Sequence, residues 1–220
     1  MGVLDKTFTV PANHVGDGGG QTRVYGPREI VFREHDCVRR IHVVDEGLVM
    51  LHHLFRDGRR QIVDLVGPGE LCSWEDGPVH SCTAETLTCC TMTSYERSAI
   101  ETSPKLQCDL SRRLRAAILR MQDHAALLGR KTALERVASL LRRLAEIRGR
   151  TVGAGAISVP LPLTRREMAD HLGITQETVS RGFTELRRRG MIGYDAPNKV
   201  RIEDAEALAM LAESRIVVQS

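Results

Sequence analysis

The sequence predicts an α+β chain of 220 residues in which short strands come first and helices follow. Between Arg28 and Tyr95, short apolar runs alternate with turn signals such as Asp57-Gly58. From Ser103-Pro104 onward the apolar residues recur at helical spacing, and a two-strand pattern returns near residues 191–202. We therefore expect four parts: a mobile tail (1–22), a strand-rich domain (23–103), a long helix (104–130) and a helical domain with a hairpin (131–220).

Charge is distributed unevenly between the two halves of the chain. Residues 1–103 carry 10 Lys and Arg against 15 Asp and Glu, whereas residues 104–220 carry 21 against 13. A basic half joined to an acidic half suggests that the C-terminal half meets nucleic acid. The sequence has no signal-peptide pattern and no apolar run of membrane-spanning length, so we expect a cytoplasmic protein without a membrane partner.

The strand-rich part contains four segments with strand composition, at residues 29–32, 41–44, 48–54 and 61–66. Regular short strands separated by turns are typical of a rolled or closed β structure. The preceding residues contain Gly18-Gly19-Gly20 and no periodic pattern, which is why we predict a mobile tail there.

The cysteines are expected to be small buried apolar residues, because no C-x-x-C pair is present and a cytoplasmic setting disfavours disulfides. We expect no cofactor. Two alternatives stay open: haem or a metal held by His80 with Cys82 or Cys72, and redox sensing by Cys37 or Cys108.

The long helix predicts a dimer seam. Apolar residues follow Pro104 with steps of four and three, the spacing of a coiled coil. The seam residues are Leu110, Leu114, Ala117, Met121, His124 and Leu128. Packing of the same helix on its own strands is the alternative, and both contacts can coexist. His124 on the seam would bring two imidazoles together across the axis, so mild acid would weaken the dimer.

Residues 163–191 predict two short helices with a sharp turn between them. Thr164 and Glu167 form a capping box, and Gly173 breaks the pattern where the chain turns. Thr175 caps the second helix, which has Val179, Phe183 and Leu186 facing inward. This is the spacing of a DNA-binding helix-turn-helix, whose second helix enters the major groove.

The outer face of the second helix has the chemistry for reading bases. Glu177, Ser180 and Arg181 lie near its N-terminus. Arg can form two hydrogen bonds with guanine, and Glu can accept one from cytosine N4. The alternative is an ordinary surface helix with a solvated charge pair. Gly182 costs roughly 1 kcal/mol of helix propensity relative to alanine, and we expect it to permit close packing against the first helix.

The same residues resemble the CRP/FNR family of regulators. Glu177-Thr178-Val179-Ser180-Arg181, preceded by Ala169-Asp170-His171-Leu172-Gly173, resembles the family's recognition helix, and the E-x-x-S-R form resembles its FNR/FixK branch. Residues 128–138 resemble the segment that leads into the DNA-binding domain of FixK-like proteins. The resemblance covers roughly residues 24–203. It implies a cyclic-nucleotide-binding-like β-roll, a dimerisation helix and a C-terminal winged helix-turn-helix.

The resemblance also implies a function. It suggests a homodimeric activator, not an enzyme, that binds double-stranded DNA at a palindrome close to TTGA-N6-TCAA and acts with RNA polymerase. Low-oxygen, respiratory or nitrogen-oxide-linked control would be its setting. The phosphate contacts implied are Arg165, Arg166, Thr175, Thr178 and Lys199.

Three departures from the family pattern concern signal sensing. No cysteine precedes Cys37, so an iron–sulfur cluster of the FNR type is not expected. Thr164 occupies the place of a redox-active cysteine found in some FixK proteins. His80, in His80-Ser81, replaces the arginine with which nucleotide-binding members hold phosphate. Without that guanidinium, we predict no cAMP response; an effector-gated sensor is the alternative.

Overall fold

A computed structural model describes residues 15–16, 19–75, 77–153 and 155–213. Its strands are β1 Val15–Gly16, β2 Gly20–Tyr25, β3 Ile30–Phe32, β4 Arg40–Glu46, β5 Val49–Leu54, β6 Arg60–Val66, β7 Thr83–Thr86, β8 Cys90–Glu96, β9 Arg150–Val152, β10 Ala156–Pro160, β11 Ile192–Ala196 and β12 Lys199–Ile202. Its helices are α1 Arg97–Thr102, α2 Pro104–Arg130, α3 Ala133–Arg148, α4 Arg165–Leu172, α5 Gln176–Arg188 and α6 Ala205–Ala212.

The chain divides into two compact units. Among the described residues, the first combines those up to 49 with 66–115, and the second combines 50–65 with those from 116 to 213. The first unit is rich in strands, and the second holds most of the helices. The predicted α+β class, with strands first and helices after, is confirmed.

The first unit is built on an antiparallel sheet in the order β1-β2-β8-β4. β2 runs beside β8 from Gln21 opposite Ser94 to Tyr25 opposite Cys90. β4 lies on the other side of β8 and buries Val43 and Val44. Strands β3 and β7 form a second antiparallel pair in this unit.

The structure corrects the boundary of the predicted tail. Residues 1–14, 17 and 18 of that tail lie outside the described residues, but Gly20, Gln21 and Thr22 belong to β2. Only Gly20 and Tyr25 of this strand are buried. The sequence of β2 therefore lacks the alternation of apolar and polar residues by which strands are predicted.

The prediction of buried cysteines is wrong for three of the six. Cys72, Cys82 and Cys90 are buried, whereas the other three, Cys37, Cys89 and Cys108, are exposed. Cys90 is the buried first residue of β8, and the exposed Cys89 precedes it.

Helix α2 coincides with the long helix predicted over 104–130, and Pro104 is its first residue. Proline suits this position because the first helical N–H has no intrahelical partner to lose. Helix α3 begins at a capping box in which Thr132 and Glu135 bond each other's backbone N–H. Its buried face comprises Val137, Ala138, Leu140, Leu141 and Leu144. No helix among the described residues has the length and apolar character needed to cross a membrane.

The second unit contains a small sheet in the order β11-β12-β10-β9. The predicted hairpin is confirmed as β11 and β12, joined at residues 197–198. β10 pairs with β12 from Ile157 opposite Ile202 to Pro160 opposite Lys199. The same unit includes the β5–β6 hairpin, where Gly58 adopts φ 81° in the turn.

Candidate nucleic-acid interface

Helix α4 begins and ends as the sequence predicts. The Thr164 backbone N–H donates to the Glu167 carboxylate at 2.8 Å, and the Glu167 N–H donates to the Thr164 hydroxyl at 3.2 Å. Gly173 ends the helix in the left-handed conformation, with φ 61° and ψ 38°. This conformation suits glycine, and it turns the chain directly into the next helix.

Helix α5 places its apolar and polar faces as predicted. Its N-cap Thr175 accepts a hydrogen bond from the Thr178 N–H at 3.1 Å. Val179, Phe183 and Leu186 are buried, so the opposite face of the helix remains available to a ligand.

Gly182 packs against α3 and not against α4, the helix that the sequence suggested. A Cβ atom at this position would lie 2.9 Å from Val137 Cγ2. Real Cβ atoms do not approach carbon so closely, so glycine allows the backbone of α5 to come near α3.

The outer face of α5 exposes the predicted base-reading residues. Arg181 donates to the Glu177 carboxylate at 2.6 Å, and the two side chains are 78% and 72% exposed. The Ser180 hydroxyl donates to the Gln176 carbonyl at 3.0 Å and is exposed. An exposed ion pair contributes little to stability, so DNA bases can displace it at little cost.

The predicted phosphate contacts differ in their surroundings. The Arg165 guanidinium lies 3.6 Å above the Phe183 ring, and burial lowers its pKa. Arg166 and Lys199 are exposed. The hydroxyls of Thr175 and Thr178 lie 2.8 Å apart at the N-terminus of α5. A helix N-terminus favours anions, so these hydroxyls and N–H groups suit a phosphate oxygen.

The arginine run at the C-terminal end of α5 is partly neutralised. Glu185 accepts from Arg188 at 2.8 Å and from Arg189 at 2.7 Å. These two arginines lower the pKa of Glu185 to about 2. Arg187 lies 5.9 Å from the ring centroid of Tyr194 in β11.

Arg136 supports the helix-turn-helix and was not predicted from the sequence. Its guanidinium donates at 2.8 Å to the carbonyl of Leu172, the last residue of α4, and at 2.8 Å to the carbonyl of Leu128 in α2. Carbonyls at helix ends lack intrahelical partners, and a cation satisfies them well. Arg136 thereby ties the ends of two helices together.

The β5–β6 hairpin holds the other side of α4. Arg60 donates to Asp170 at 3.0 Å and lies 3.6 Å from the buried carboxylate of Glu167. The His171 Nδ1 lies 3.3 Å from the Ile62 carbonyl, which can only accept, so Nδ1 carries the proton. The pKa of His171 is lowered to about 3, mainly by burial and to a smaller extent by the charge of His124.

Two of the six predicted seam residues on α2 face their own chain. Ala117 is 1% exposed, and His124 stacks on the His171 ring at a centroid distance of 4.4 Å. This corrects the prediction that His124 faces a second imidazole across a dimer axis. Ile118 and Met121 are 46% and 47% exposed on the same helix. Leu110, Leu114 and Leu128 are half-buried.

In the first unit, the position that replaces the family's phosphate-binding arginine is buried. His80 stacks on Phe32 at a centroid distance of 3.7 Å, and its Nδ1 lies 3.5 Å from the Glu75 carboxylate. His42 lies nearby, and burial lowers its pKa to about 4. Over the described residues, no group of three or more His, Cys, Asp or Glu side chains could hold a metal ion.

The geometry of the second unit defines a class. A capped helix, a glycine turn, a second helix with an exposed Glu–Arg pair and a following two-stranded wing together form a winged helix-turn-helix. This is a fold for binding duplex DNA.

Comparison with known proteins gives the family. Residues 135–211 match the Crp-like helix-turn-helix domain, and residues 22–102 match the cyclic nucleotide-binding domain. The nitrogen fixation regulation protein FixK of Azorhizobium caulinodans is 36% identical over 87% of this chain and 79% of its own length. The transcriptional activator protein FnrL of Cereibacter sphaeroides is 35% identical over 83% of this chain and 76% of its own length. The solved structure of FixK2 from Bradyrhizobium japonicum has a TM-score of 0.79 and 30% identity, covering 89% of this chain and 98% of that one. The chain belongs to the CRP/FNR family of transcription regulators, in its FixK-like branch.

Proposed function

We propose that this protein is a cytoplasmic homodimeric activator that reads a TTGA-N6-TCAA-like palindrome in double-stranded DNA and acts with RNA polymerase. Its setting is low-oxygen, respiratory or nitrogen-oxide-linked control, and it needs neither cAMP nor another cofactor. The FixK and FnrL relatives support this assignment.

The observation that carries the proposal is the exposed pair of Glu177 and Arg181 one turn apart on α5. In the complex, Arg181 reads guanine through O6 and N7, and Glu177 accepts from the amino group of cytosine. Ser180 lies beside them and completes the reading surface. A carboxylate near phosphates is costly unless it meets a base donor, so the pair favours base reading over simple backbone binding.

The phosphate contacts surround this reading surface. Arg166 and Lys199 are exposed cations, and Thr175 and Thr178 present hydroxyls at the helix N-terminus. Arg165 joins them if its guanidinium leaves the Phe183 ring; otherwise it positions α4 over α5. Contacts of this kind set register and affinity rather than sequence.

A two-fold dimer would match a palindromic DNA site. The exposed residues Ile118 and Met121 belong to a heptad row that includes Leu114, Ala125 and Leu128. Steps of four and three along this row give a coiled-coil seam for a parallel pair of α2 helices. A two-fold dimer would present its two α5 helices to successive major grooves, about 34–36 Å apart.

Independence from cAMP is supported by the β-rich unit. His80 is 3% exposed and stacked on Phe32, so a buried imidazole ring stands where phosphate recognition needs a guanidinium. A buried cyclic phosphate would therefore lack its bidentate partner.

Fluorescence anisotropy of purified, ligand-free protein tests the proposal. Full-length protein is titrated onto a TTGA-N6-TCAA duplex and onto a scrambled duplex of equal composition at physiological salt. We expect binding to the palindrome at least about 10³-fold tighter than to the scrambled duplex, the usual margin for specific regulators. Equal binding to both would contradict the assigned palindrome. Selectivity that appears only with a bound chromophore, metal or reduced thiols would favour an effector-gated sensor; visible absorption of fresh protein reports haem.

A further inference from the structure

A carboxylate of the first unit is held by donors that converge on it from two segments of the chain. Glu75 accepts from the Trp74 N–H at 3.1 Å, from the Ser81 N–H at 3.2 Å and from the Ser81 hydroxyl at 3.1 Å. The His80 Nδ1 lies 3.5 Å from the same carboxylate. The Glu75 side chain is only 12% exposed, whereas Ser81 is exposed, so the site is partly buried and open to solvent on the Ser81 side.

The donors around Glu75 are those that an oxyanion requires. Backbone N–H groups and a hydroxyl that point at one carboxylate can also bind another oxyanion, and charge-assisted bonds to such groups are strong. Burying a carboxylate is costly unless donors of this kind compensate it. We define the anion seat as the Trp74 and Ser81 N–H groups with the Ser81 hydroxyl.

A buried ring beside the seat adds a second observation. His80 is 3% exposed, and its Nδ1 forms no hydrogen bond within the described residues. Its ring is fixed by stacking on Phe32 at an angle of 12°. The His80 ring is therefore fixed beside the seat, with its Nδ1 on the side of the Glu75 carboxylate.

We propose that Glu75 fills this anion seat as an internal substitute for a small phosphate ligand, so that the protein accepts no phosphate-bearing effector there. The inference deepens the effector independence proposed above and rests on it. A phosphate entering the seat would find its donors already hydrogen-bonded to Glu75. It would also lie within about 4 Å of the negative charge of that carboxylate. That repulsion alone lowers affinity about tenfold or more in a partly buried site. Removing the carboxylate should therefore open a site for an oxyanion.

The test uses full-length Glu75→Ala, with wild type and Glu29→Ala as controls. Glu29 is a matched control because it also accepts from a backbone N–H in the first unit, from Gly26 at 2.9 Å, but lies outside the seat. Inorganic phosphate is the probe, and sodium chloride of equal ionic strength corrects for general salt effects. Thermal unfolding and titration calorimetry report binding.

We expect phosphate to raise the Tm of Glu75→Ala and to bind it at least about tenfold more tightly than wild type or Glu29→Ala. If Glu75→Ala does not fold in chloride, it should fold when phosphate is present. A phosphate response shared by all three proteins, or absent from Glu75→Ala, would overturn the proposal. Anisotropy of wild-type protein on DNA with and without cAMP is measured separately. An effector requirement there would contradict the proposed function, whereas the phosphate response of Glu75→Ala would still report on the seat.

Discussion

At the scale of single residues, Arg181 and Lys199 allow the two proposed kinds of DNA contact to be tested separately. Arg181 lies on the outer face of α5, and Lys199 begins strand β12 of the wing. Arg181→Ala should weaken binding to the palindrome by about 1–3 kcal/mol and binding to scrambled DNA very little, because a base contact is lost. Lys199→Ala should weaken both and reduce the salt slope by about one unit, because a phosphate contact is lost.

Anisotropy titrations on both duplexes at several salt concentrations measure these effects. Arg112→Ala is the control for general charge, since this arginine is exposed on α2 and pairs with Asp109. It should change neither selectivity nor the salt slope. The assignment of Arg181 to bases and Lys199 to phosphates is wrong if Arg181→Ala weakens binding to both duplexes equally. It is also wrong if Lys199→Ala weakens binding to the palindrome alone.

Gly182 gives a second prediction at the residue scale. Alanine favours the helix by about 1 kcal/mol over glycine, but its Cβ would lie 2.9 Å from Val137 Cγ2 in a buried contact. Overpacking of this kind costs about 1–3 kcal/mol, so Gly182→Ala should lower the free energy of unfolding.

The effect of Gly182→Ala on the free energy of unfolding should change sign when the side chain at position 137 is made smaller. Val137→Ala removes the clashing methyl groups, and in that background Gly182→Ala should raise the free energy of unfolding by up to about 1 kcal/mol. Urea unfolding of the four proteins gives the double-mutant cycle. Additive effects would mean that the contact with α3 does not explain the glycine.

Residues that act through local spacing could be predicted from the sequence, and those that act through tertiary contacts could not. The caps Thr164 and Thr175 follow from residue type at a helix start, and the exposure of Arg181 follows from helical periodicity. The Val137 partner of Gly182 is 45 positions away, and the carbonyl partners of Arg136 lie in two other helices. No local pattern encodes such pairs.

At the scale of elements, the β5–β6 hairpin and helix α4 are joined around His171. This side chain donates to the Ile62 carbonyl of β6 and stacks on His124 of α2. Burial lowers its pKa to about 3, so the folded protein holds the imidazole neutral at pH values where the unfolded chain binds a proton. The contribution of the neutral His171 to the free energy of unfolding is fully present above about pH 6.5. It is lost as the pH falls toward the folded-state pKa.

Stability should therefore fall below pH 6.5, by up to about 1.4 kcal/mol per pH unit for His171 alone. His42, whose pKa is lowered to about 4, acts in the same direction. In His171→Asn, the side-chain amide keeps a donor toward Ile62, and the dependence of the unfolding free energy on pH should become shallower between pH 7 and 5. The exposed His35→Asn is the control; equal slopes in both variants would contradict the assignment.

Elements with a periodic apolar face were predicted well, and those without one were missed. Helices α2 and α5 and the wing strands follow from clear repeats. Strand β9 has three exposed residues and is held by pairing with β10, so its own sequence gives no signal. Helix α1 likewise buries none of its residues. Tertiary pairing stabilises such elements in place of intrinsic propensity.

At the scale of the whole molecule, the symmetry of the assembly must match that of the DNA. The heptad spacing of apolar residues predicts a seam on α2. More than one row of residues along this helix has that spacing, so the spacing alone does not fix which face forms the seam. Ala117 and His124 turn toward their own chain, which moves the exposed row toward Ile118 and Met121. The sequence predicts a seam on α2 but not the face of the helix that would carry it, because this depends on which face the rest of the chain covers.

This orientation gives the last prediction. Ile118→Glu places two carboxylates opposite each other on the proposed seam, and desolvating like charges there should shift the protein to monomer at micromolar concentration. Binding to the palindrome should fall sharply, because a monomer reaches only one half-site, while binding to scrambled DNA changes little. Leu119→Glu is the matched control: it is 61% exposed on the same helix but one position off the seam. Sedimentation and anisotropy should leave Leu119→Glu dimeric and selective; a monomeric Leu119→Glu with a dimeric Ile118→Glu would place the seam on the other face of α2.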